Sequence, residues 1–289
     1  MTSLPTIRLG SSEVLVTRLI SGGNPLCANS HFSDEMDAEM LEYFTPERVV
    51  AYFHRLQAGG INTLQARGDY HRTLHWLELF RREGGQLHWI AQTASEMSDV
   101  FENIRVLAAA GAVGVYHHGT QTDRFWLEGR IDDVGDYLKC MRDAGVQVGL
   151  GTHIPEVIEY AEASGWDIDF YMACFYNINR EPRGSALASP EAPTSREVYL
   201  DSDPPRMCQV IRQTEKTCLA FKILAAARHC PTQEDVAAAF RFAFSNIKPK
   251  DAVVVGMFPK DVDQIALNIQ HTLAACEPAA SGQQDVHNG

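Results

Sequence analysis

The sequence predicts a single α/β domain with the architecture of a (β/α)8 TIM barrel that carries an N-terminal β-hairpin. Strand-like apolar segments alternate with helix-like amphipathic segments, and eight strands are each followed by a helix. An open, doubly wound sheet would need fewer strands, and no G-x-G-x-x-G motif follows the first strand. We therefore expect one barrel over residues 1–275, and a polar tail at 276–289 that is disordered.

The expected elements follow a regular order along the chain. The runs Thr6–Leu9 and Val14–Val16 flank a turn and predict the hairpin. The expected barrel strands are Leu19–Gly23, Ile61–Gln65, Leu87–Gln92, Ala112–His117, Gln147–Gly151, Phe170–Phe175, Thr217–Ile223 and Ala252–Val255. The expected helices are Pro46–Gln57, His71–Arg82, Met97–Ala110, Ile131–Ala144, Pro155–Ser164, Pro205–Gln213, Thr232–Asn246 and Lys260–Ala274. The long loop Asn177–Pro205 is expected to cover the site, to form a contact in a homo-oligomer or simply to be mobile.

Composition excludes several classes of partner. The net charge of -12 argues against nucleic acid, which selects basic surfaces. No apolar run approaches the ~18 residues of a membrane span, so we expect no membrane partner. The N-terminus shows no signal-peptide pattern, which favours a cytoplasmic protein. The seven cysteines show no C-x-x-C spacing, so we expect reduced thiols.

Four segments resemble the aldo-keto reductase superfamily. Residues 60–70, GINTLQARGDY, match the family's G-I-N-x-F-D-T-A-x-x-Y stretch. Residues 148–153, VGLGTH, resemble the segment after the fifth strand, and Tyr176–Asn177 match the YN that closes the sixth. Residues 254–257, VVGM, followed by Asp263–Gln264, resemble the segment near the adenosine end of the cofactor. The order and spacing of these segments, with the hairpin, cover about residues 5–275. The resemblance implies reduction of a small polar carbonyl or sugar-like substrate with NADP(H).

The resemblance also implies where proton transfer takes place. The family uses a tyrosine that an aspartate and a lysine tune, together with a histidine that orients the substrate. The tyrosine corresponds to Tyr70, and the histidine to His117, with His118 beside it. A free tyrosine keeps its proton up to a pKa of about 10, so it needs a nearby positive charge to work near neutrality.

The two tuning positions lack charge in this chain. Gln65 stands at the aspartate position, and Gln92 or Thr93 stands at the lysine position. An amide or a hydroxyl supplies no charge to a neighbouring tyrosine. The sequence therefore predicts an active site that departs from a working reductase.

Lys222 is a candidate replacement for the missing lysine. Alternation in the seventh strand places Leu219, Phe221 and Ile223 towards the helices, which would turn Lys222 into the barrel. A buried ammonium without a partner is costly, so we expect Lys222 to donate a proton, hold an anion or form a Schiff base. A register slip or a structural ion pair is the alternative.

Further site residues are expected on the loops at the carboxyl ends of the strands, where barrels hold their active sites. The expected substrate-binding residues are Arg67, Asp69, His118, Gln92, Thr93 and Tyr176. The expected cofactor-binding residues are Gly22, Gly23, Asn24, Thr152, His153, Asn177, Gly256 and Lys260. Among these, Lys260 would hold the 2′-phosphate of NADP(H), with help from Arg228.

Two other readings of the barrel mouth remain open. His117 and His153 end neighbouring strands and, with Glu96, could hold a divalent metal ion. Adjacent His117 and His118 point to opposite faces, however, which favours a hydrogen-bonding or acid–base histidine over a metal ligand. The alternative functions are a non-redox barrel enzyme, such as a lyase, isomerase or dehydratase, and a catalytically silent ligand-binding barrel.

Overall fold

A β-hairpin precedes the barrel in the computed structural model, which describes residues 3–69, 72–94, 97–181 and 197–277. Strands β1 (Thr6–Arg8) and β2 (Leu15–Thr17) pair antiparallel, as predicted. Ile7 and Val16 are buried and pack with the barrel interior. The Asn62 amide donates to the Leu15 carbonyl and accepts from the Thr17 N–H, which ties the hairpin to the start of a barrel strand. The hairpin therefore closes the amino end of the barrel.

Eight parallel strands form the closed barrel that the sequence predicts. The strands are β3 (Leu19–Gly22), β4 (Thr63–Arg67), β5 (His88–Gln92), β6 (Gly114–His117), β7 (Gln147–Thr152), β8 (Phe170–Cys174), β9 (Thr217–Phe221) and β10 (Ala252–Gly256). They are arranged in sequence order, and β10 closes the cylinder by pairing with β3. Because all eight run parallel, their carboxyl ends meet at one rim.

The helices surround the barrel, and the chain has more of them than the sequence predicted. They are α1 (Asp34–Tyr43), α2 (Pro46–Ala58), α3 (Thr73–Arg82), α4 (Val100–Ala109), α5 (Gly119–Leu127), α6 (Val134–Asp143), α7 (Pro155–Ala163), α8 (Asp203–Gln213), α9 (Gln233–Asn246) and α10 (Gln264–Cys276). Helices α1 and α5 fall where the sequence predicted loops. The predicted tail lies outside the described residues from 278 onwards, and so do residues 182–196 of the long loop.

Side chains alternate between the interior of the barrel and the helices. An interior cluster contains Ile20, Ile90, Tyr116, Phe170, Met172, Leu219 and Val254, among others. The predicted orientation of the seventh strand was wrong, because Leu219 and Phe221 pack into this interior cluster while Cys218 and Ala220 pack towards the helices. Lys222 follows the last residue of β9 and has a positive φ of 58°, so strand alternation does not set its direction.

Two further expectations concern thiols and membranes. All seven cysteines are free, and Cys27, Cys174, Cys208 and Cys218 are buried. Within the described ranges, none of the helices combines the length and the apolar character that crossing a bilayer requires.

Gly149 tests how tightly the barrel interior is packed. A Cβ at this position would overlap the Phe170 ring and the Tyr116 Cβ. We expect Gly149→Ala to lower the free energy of unfolding by about 1–3 kcal/mol, because overpacking displaces neighbours. Gly135, at the start of α6, faces open space, so Gly135→Ala should leave stability unchanged or raise it by up to ~1 kcal/mol. Chemical denaturation measures both, and equal effects would contradict this packing.

Candidate active site

A cavity of about 400 Å³ begins at the carboxyl rim of the barrel. Gly22, Gln65, Phe221 and Lys222 line its inner end. From there it extends outward between the loops that follow β9 and β10. Its outer end is lined by Gln233 and Val236 of α9 and by Gln264, Leu267 and Asn268 of α10. The cavity is mostly apolar with a few polar side chains, which is typical of sites for small molecules and cofactors.

Several predicted cofactor residues line this cavity and others do not. Gly22, Asn24 and Gly256 line it. Gly23 packs closely against the Ala66 side chain instead. Lys260 is exposed, and its Nζ lies 3.2 Å from Glu39 Oε2.

Asn177 and Thr152 make local contacts within the fold. The Asn177 N–H donates to Asp203 Oδ2, and its carbonyl accepts from the Arg180 guanidinium. The Thr152 side chain is fully buried, and its Oγ1 lies 2.5 Å from Asp123 Oδ1. These two predicted cofactor residues therefore hold loops in place.

A neutral hydrogen-bond chain occupies the two positions that the resemblance assigns to aspartate and lysine. Gln65 Nε2 donates to the Tyr116 hydroxyl over 2.8 Å, and that hydroxyl donates to Gln92 Oε1 over 2.9 Å. Burial raises the pKa of Tyr116 far above its ordinary value. This arrangement supplies no charge that would activate a neighbouring hydroxyl near neutral pH. Tyr70, the predicted proton donor, lies outside the described residues.

His117 is not at the mouth, contrary to the sequence-based expectation. It lies on the outer face of β6, because strand alternation turns Tyr116 inwards and its neighbour outwards. Its Nδ1 lies 2.8 Å from Thr122 Oγ1, and its ring stacks on Tyr137 of α6 with centroids 5.0 Å apart. Burial lowers the pKa of His117 to about 4, so the ring is neutral at pH 7.

His118 is the histidine that follows β6 at the rim. It precedes the first residue of α5, and its N–H donates to Thr93 Oγ1 over 3.0 Å. Thr93 is fully buried, and this hydrogen bond links the ends of β5 and β6. The predicted Thr93 therefore positions the loop that carries the predicted His118.

Arg67 and Asp69 are both buried where β4 ends, and Arg67 Nε lies 3.9 Å from Asp69 Oδ2. Asp69 Oδ1 accepts from the N–H groups of Arg72 and Thr73 at the start of α3. Burial lowers the pKa of Arg67. The carboxylate thus caps a helix and holds a buried guanidinium near the rim.

Lys222 belongs to an ion cluster at the edge of the cavity. Its Nζ lies 3.9 Å from Glu197 Oε2 and 3.4 Å from the Tyr199 hydroxyl. Glu197 Oε1 lies 2.8 Å from His31 Nδ1, and the Tyr199 hydroxyl donates to Glu197 Oε2 over 2.6 Å. The Glu197 side chain is only 1% exposed. The cluster therefore joins the loops that follow β3, β8 and β9.

Tyr176, a predicted substrate residue, lies behind this cluster. Its hydroxyl is 2.8 Å from His229 Nε2, and its ring packs against Tyr199 with centroids 5.2 Å apart. Burial raises the pKa of Tyr176 to about 12. Tyr176 supports the loops that carry Lys222 and is not among the cavity residues.

His153, predicted to bind the cofactor, does not line the cavity and instead forms a buried pair with Asp123, a residue that the sequence analysis did not identify. Asp123 Oδ2 on α5 lies 2.6 Å from Nδ1 of His153, which follows β7. The His153 ring meets the inward-facing Phe221 ring edge to face, with centroids 5.4 Å apart. Asp123 was overlooked because residues 118–130 were read as a loop, although Thr120, Thr122 and Asp123 form a buried face of α5.

The candidate metal ligands point in different directions. His117 Nδ1 faces Thr122, and His153 Nδ1 faces Asp123. Glu96 lies outside the described residues. Among the residues that the structure describes, no group of three or more histidine, cysteine, aspartate or glutamate side chains could hold a metal ion.

Comparison with known proteins supports the fold. No family model matches the sequence, and no curated protein matches it. A Pseudomonas aeruginosa protein assigned to the aldo-keto reductases is 18% identical, with a TM-score of 0.56 over 94% of this chain and 95% of its own. A glycerol dehydrogenase from Gluconobacter oxydans is 10% identical, with a TM-score of 0.51 over 96% and 98% of the two chains.

A solved structure of another chemical class is similar to the same degree. A truncated 3-deoxy-D-arabino-heptulosonate 7-phosphate synthase from Thermotoga maritima is 14% identical, with a TM-score of 0.53 over 94% of this chain and 90% of its own. At such identities the likenesses show the fold alone. The chain is a TIM barrel of the kind that many enzymes share.

The buried His117 predicts a pH dependence of stability. Its pKa is about 4 in the fold and about 6.5 in the unfolded chain, so the unfolded state binds the extra proton first as the pH falls. Above pH 6.5, His117 should have almost no effect on the free energy of unfolding. At pH 4, protonation of His117 in the unfolded chain should lower the free energy of unfolding by about 3 kcal/mol. We expect His117→Asn to lose about 3 kcal/mol less than the wild type between pH 7 and 4, measured by urea denaturation. Parallel curves for the two proteins would contradict a neutral, buried His117.

Proposed function

We propose that this barrel is an oxidoreductase similar to the aldo-keto reductases, which binds a nicotinamide dinucleotide and reduces a small polar carbonyl or sugar-like compound. The observation that carries the proposal is the cavity between the loops that follow β9 and β10, the seventh and eighth strands of the barrel. In barrels these loops frequently bind phosphate groups. A cavity that begins at the rim and ends at α10 suits a long ligand whose reactive end lies over the barrel axis.

The residues present fit such a cofactor in several respects. Gly22 and Gly256 line the cavity at the rim, where β3 and β10 pack closely, since a Cβ at Gly22 would lie 3.1 Å from the Gly256 nitrogen. Lys222 provides a cation at the inner end of the cavity, and the buried Asn268 amide lines its outer end. These residues would hold the ring, the phosphates and the adenosine, respectively. When bound, the nicotinamide would supply the hydride.

The cations expected to hold a 2′-phosphate are engaged elsewhere. Lys260 pairs with Glu39 at the surface, and Arg228 lies over the Tyr199 ring, 4.1 Å from its centroid. An exposed ion pair of this kind is worth only about 0–1 kcal/mol, so a phosphate group would displace Glu39 at little cost. NADP(H) therefore remains our proposal, with NAD(H) as the direct comparison.

The likeness to two oxidoreductase-type barrels supports the proposal at the level of the fold. The Pseudomonas aeruginosa protein and the glycerol dehydrogenase each align over more than nine tenths of both chains. The quoted sequence segments, in their order, add the resemblance around residues 60–70 and 254–257.

The second candidate is a non-redox barrel enzyme, such as a lyase, isomerase or dehydratase. The neutral chain through Gln65, Tyr116 and Gln92 favours it, because reductases of the resembled family need charge at these positions. The Asp123–His153 pair supplies acid–base chemistry that needs no nicotinamide. The Thermotoga maritima synthase shows that a barrel of this shape carries chemistry of another class.

Isothermal titration calorimetry with NADPH and NADH tests the first candidate. We expect saturable binding of at least one, with a Kd below about 100 µM, within the range usual for enzyme KM values. Val262 is exposed at the outer part of the cavity, so Val262→Trp should raise that Kd at least about tenfold by filling the space.

Leu41→Trp on α1 is the matched control, because Leu41 is exposed and does not line the cavity. It should leave the Kd unchanged. Failure of both dinucleotides to bind the wild type would remove the oxidoreductase proposal and leave the non-redox enzyme or a silent barrel.

A further inference from the structure

We propose that His153 transfers the proton to or from the substrate of this barrel, and that Asp123 is the positioning residue that fixes its tautomer. The proposal rests on the enzyme proposed above having its active site at the carboxyl rim, and it applies to the redox and the non-redox candidates alike. The His153 and Asp123 side chains are 6% and 1% exposed, and their nearest atoms lie 2.6 Å apart.

The Asp123 carboxylate is surrounded by donors from two parts of the chain, the end of β7 and the loop after β8. Besides His153 Nδ1, it accepts from Thr152 Oγ1 over 2.5 Å and from the His153 N–H over 3.1 Å. Asn179, on the loop after β8, donates its Nδ2 over 2.6 Å. A buried carboxylate is costly unless its oxygens are bonded in this way. Residues from α5, the end of β7 and the loop after β8 thus hold the His153 imidazole in place.

This arrangement determines which nitrogen of His153 faces the substrate. Because Nδ1 carries the hydrogen that Asp123 accepts, the lone pair of the neutral ring is on Nε2. Among the described residues, the polar contacts of the ring are made at Nδ1, with Asp123 and Asn179. The ring also lies against Phe221, whose side chain lines the inner end of the cavity. Nε2 has no protein partner among the described residues, and although His153 does not line the cavity, the proposal places the substrate within reach of this nitrogen.

The other polar groups at the rim are less suited to this role. Tyr116 holds its proton firmly because burial raises its pKa, and it is bonded to two neutral amides. His117 points towards α6 and stays neutral at pH 7. Lys222 has the Glu197 carboxylate beside it. The His153 imidazole, held by a buried carboxylate, instead has the geometry of an acid–base histidine.

The proton step balances for both candidate reactions. In reduction, the imidazolium would give its Nε2 proton to the carbonyl oxygen, and a bound nicotinamide would supply the hydride that the carbonyl carbon needs. The products are an alcohol, a neutral ring and the oxidised nicotinamide. In an isomerase, neutral Nε2 would remove a proton from the carbon next to a carbonyl to leave an enediolate, and the imidazolium would return that proton to the neighbouring carbon. In a dehydratase, the imidazolium would give the proton to the departing hydroxide, which leaves as water while a carbon–carbon double bond forms.

The experiment compares the wild type with His153→Gln, Asp123→Asn and a control, His88→Gln. His88 begins β5 at the opposite end of the barrel and is half-buried. Circular dichroism and dinucleotide titration first establish that each variant folds and binds. Rates are then measured between pH 5 and 9 in two assays. One is reduction of D-glyceraldehyde and dihydroxyacetone by NADPH or NADH, and the other is α-proton exchange of dihydroxyacetone in D2O, followed by NMR.

We expect His153→Gln to lower kcat by about 10²–10⁴-fold, with the dinucleotide Kd changed less than about threefold. The wild-type pH profile should contain a limb that His153→Gln lacks and His88→Gln retains. Asp123→Asn should lower kcat at least about tenfold, because an amide at this place favours the wrong tautomer. A merely structural role for His153 would leave the shape of the pH profile unchanged.

The two proposals fail in different ways. If dinucleotides bind and support reduction, but His153→Gln keeps the wild-type rate and pH profile, the role of His153 is overturned and the oxidoreductase stands. If neither dinucleotide binds, the oxidoreductase proposal is overturned, and the exchange assay then tests the role of His153 alone. Exchange that depends on His153 supports the inference. Exchange that persists in His153→Gln, or no exchange by the wild type, overturns it.

Discussion

Closure of the parallel barrel is the constraint on which the site depends. The pairing of β10 with β3, from Val253 with Leu19 to Gly256 with Gly22, completes the cylinder. Without that pairing, the loop after the eighth strand would not lie beside the loop after the first. The cavity is formed by both loops, because Gly22 and Gly256, which precede them, line neighbouring parts of its inner end. The hairpin fills the amino end with Ile7 and Val16, so the carboxyl rim is where a ligand reaches the interior.

Charge at this rim is distributed unevenly. The ends of β4, β5 and β6 are joined by the neutral chain of Gln65, Gln92 and Tyr116. Arg67 and Asp69 form a buried ionisable pair where β4 ends, and two further pairs lie on the other wall, Asp123–His153 beside β7 and Lys222–Glu197 beside β9. A neutral chain inside the barrel avoids the cost of burying a charge far from water. Because this chain is neutral and internally bonded, our proposal places proton transfer at His153 on the opposite wall.

The sequence allowed the fold to be predicted because its signals are local and repeated. Alternating strands, helix caps and the order of the units give the barrel and the hairpin without knowledge of distant contacts. The resemblance to the family also predicted that Gln65 and Gln92 stand at positions where the family has charged residues. The hydrogen bonds that join them through Tyr116 were not, because Tyr116 is 24 residues or more away from either.

The errors concern the direction of side chains, both within β9, where Leu219 and Phe221 face the barrel interior, and at or just beyond the ends of strands. Alternation within β6 sends His117 outwards, which a motif without coordinates does not reveal. Lys222 lies one residue beyond β9 with a left-handed backbone, so its direction follows from the turn and from Glu197, not from the strand. Asp123 and His153 are 30 residues apart and meet only because α5 packs on β7. Such a pair carries no signal in spacing, since its two members belong to different β/α units.

The position of the Asp123–His153 pair has a geometric consequence for chemistry at the mouth. The proposed cofactor cavity lies against β3, β9 and β10, whereas His153 follows β7, with Phe221 of β9 packed between them. A substrate over the axis would thus meet the cavity on one side and His153 on the adjacent wall. In the family that the sequence resembles, the tyrosine follows the second strand. Proton transfer after the fifth strand would approach the substrate from a different direction, and Gln65 and Gln92 would then be free of any catalytic requirement. The uncharged side chains of Gln65 and Gln92 are compatible with an acid–base group on the other wall of the barrel.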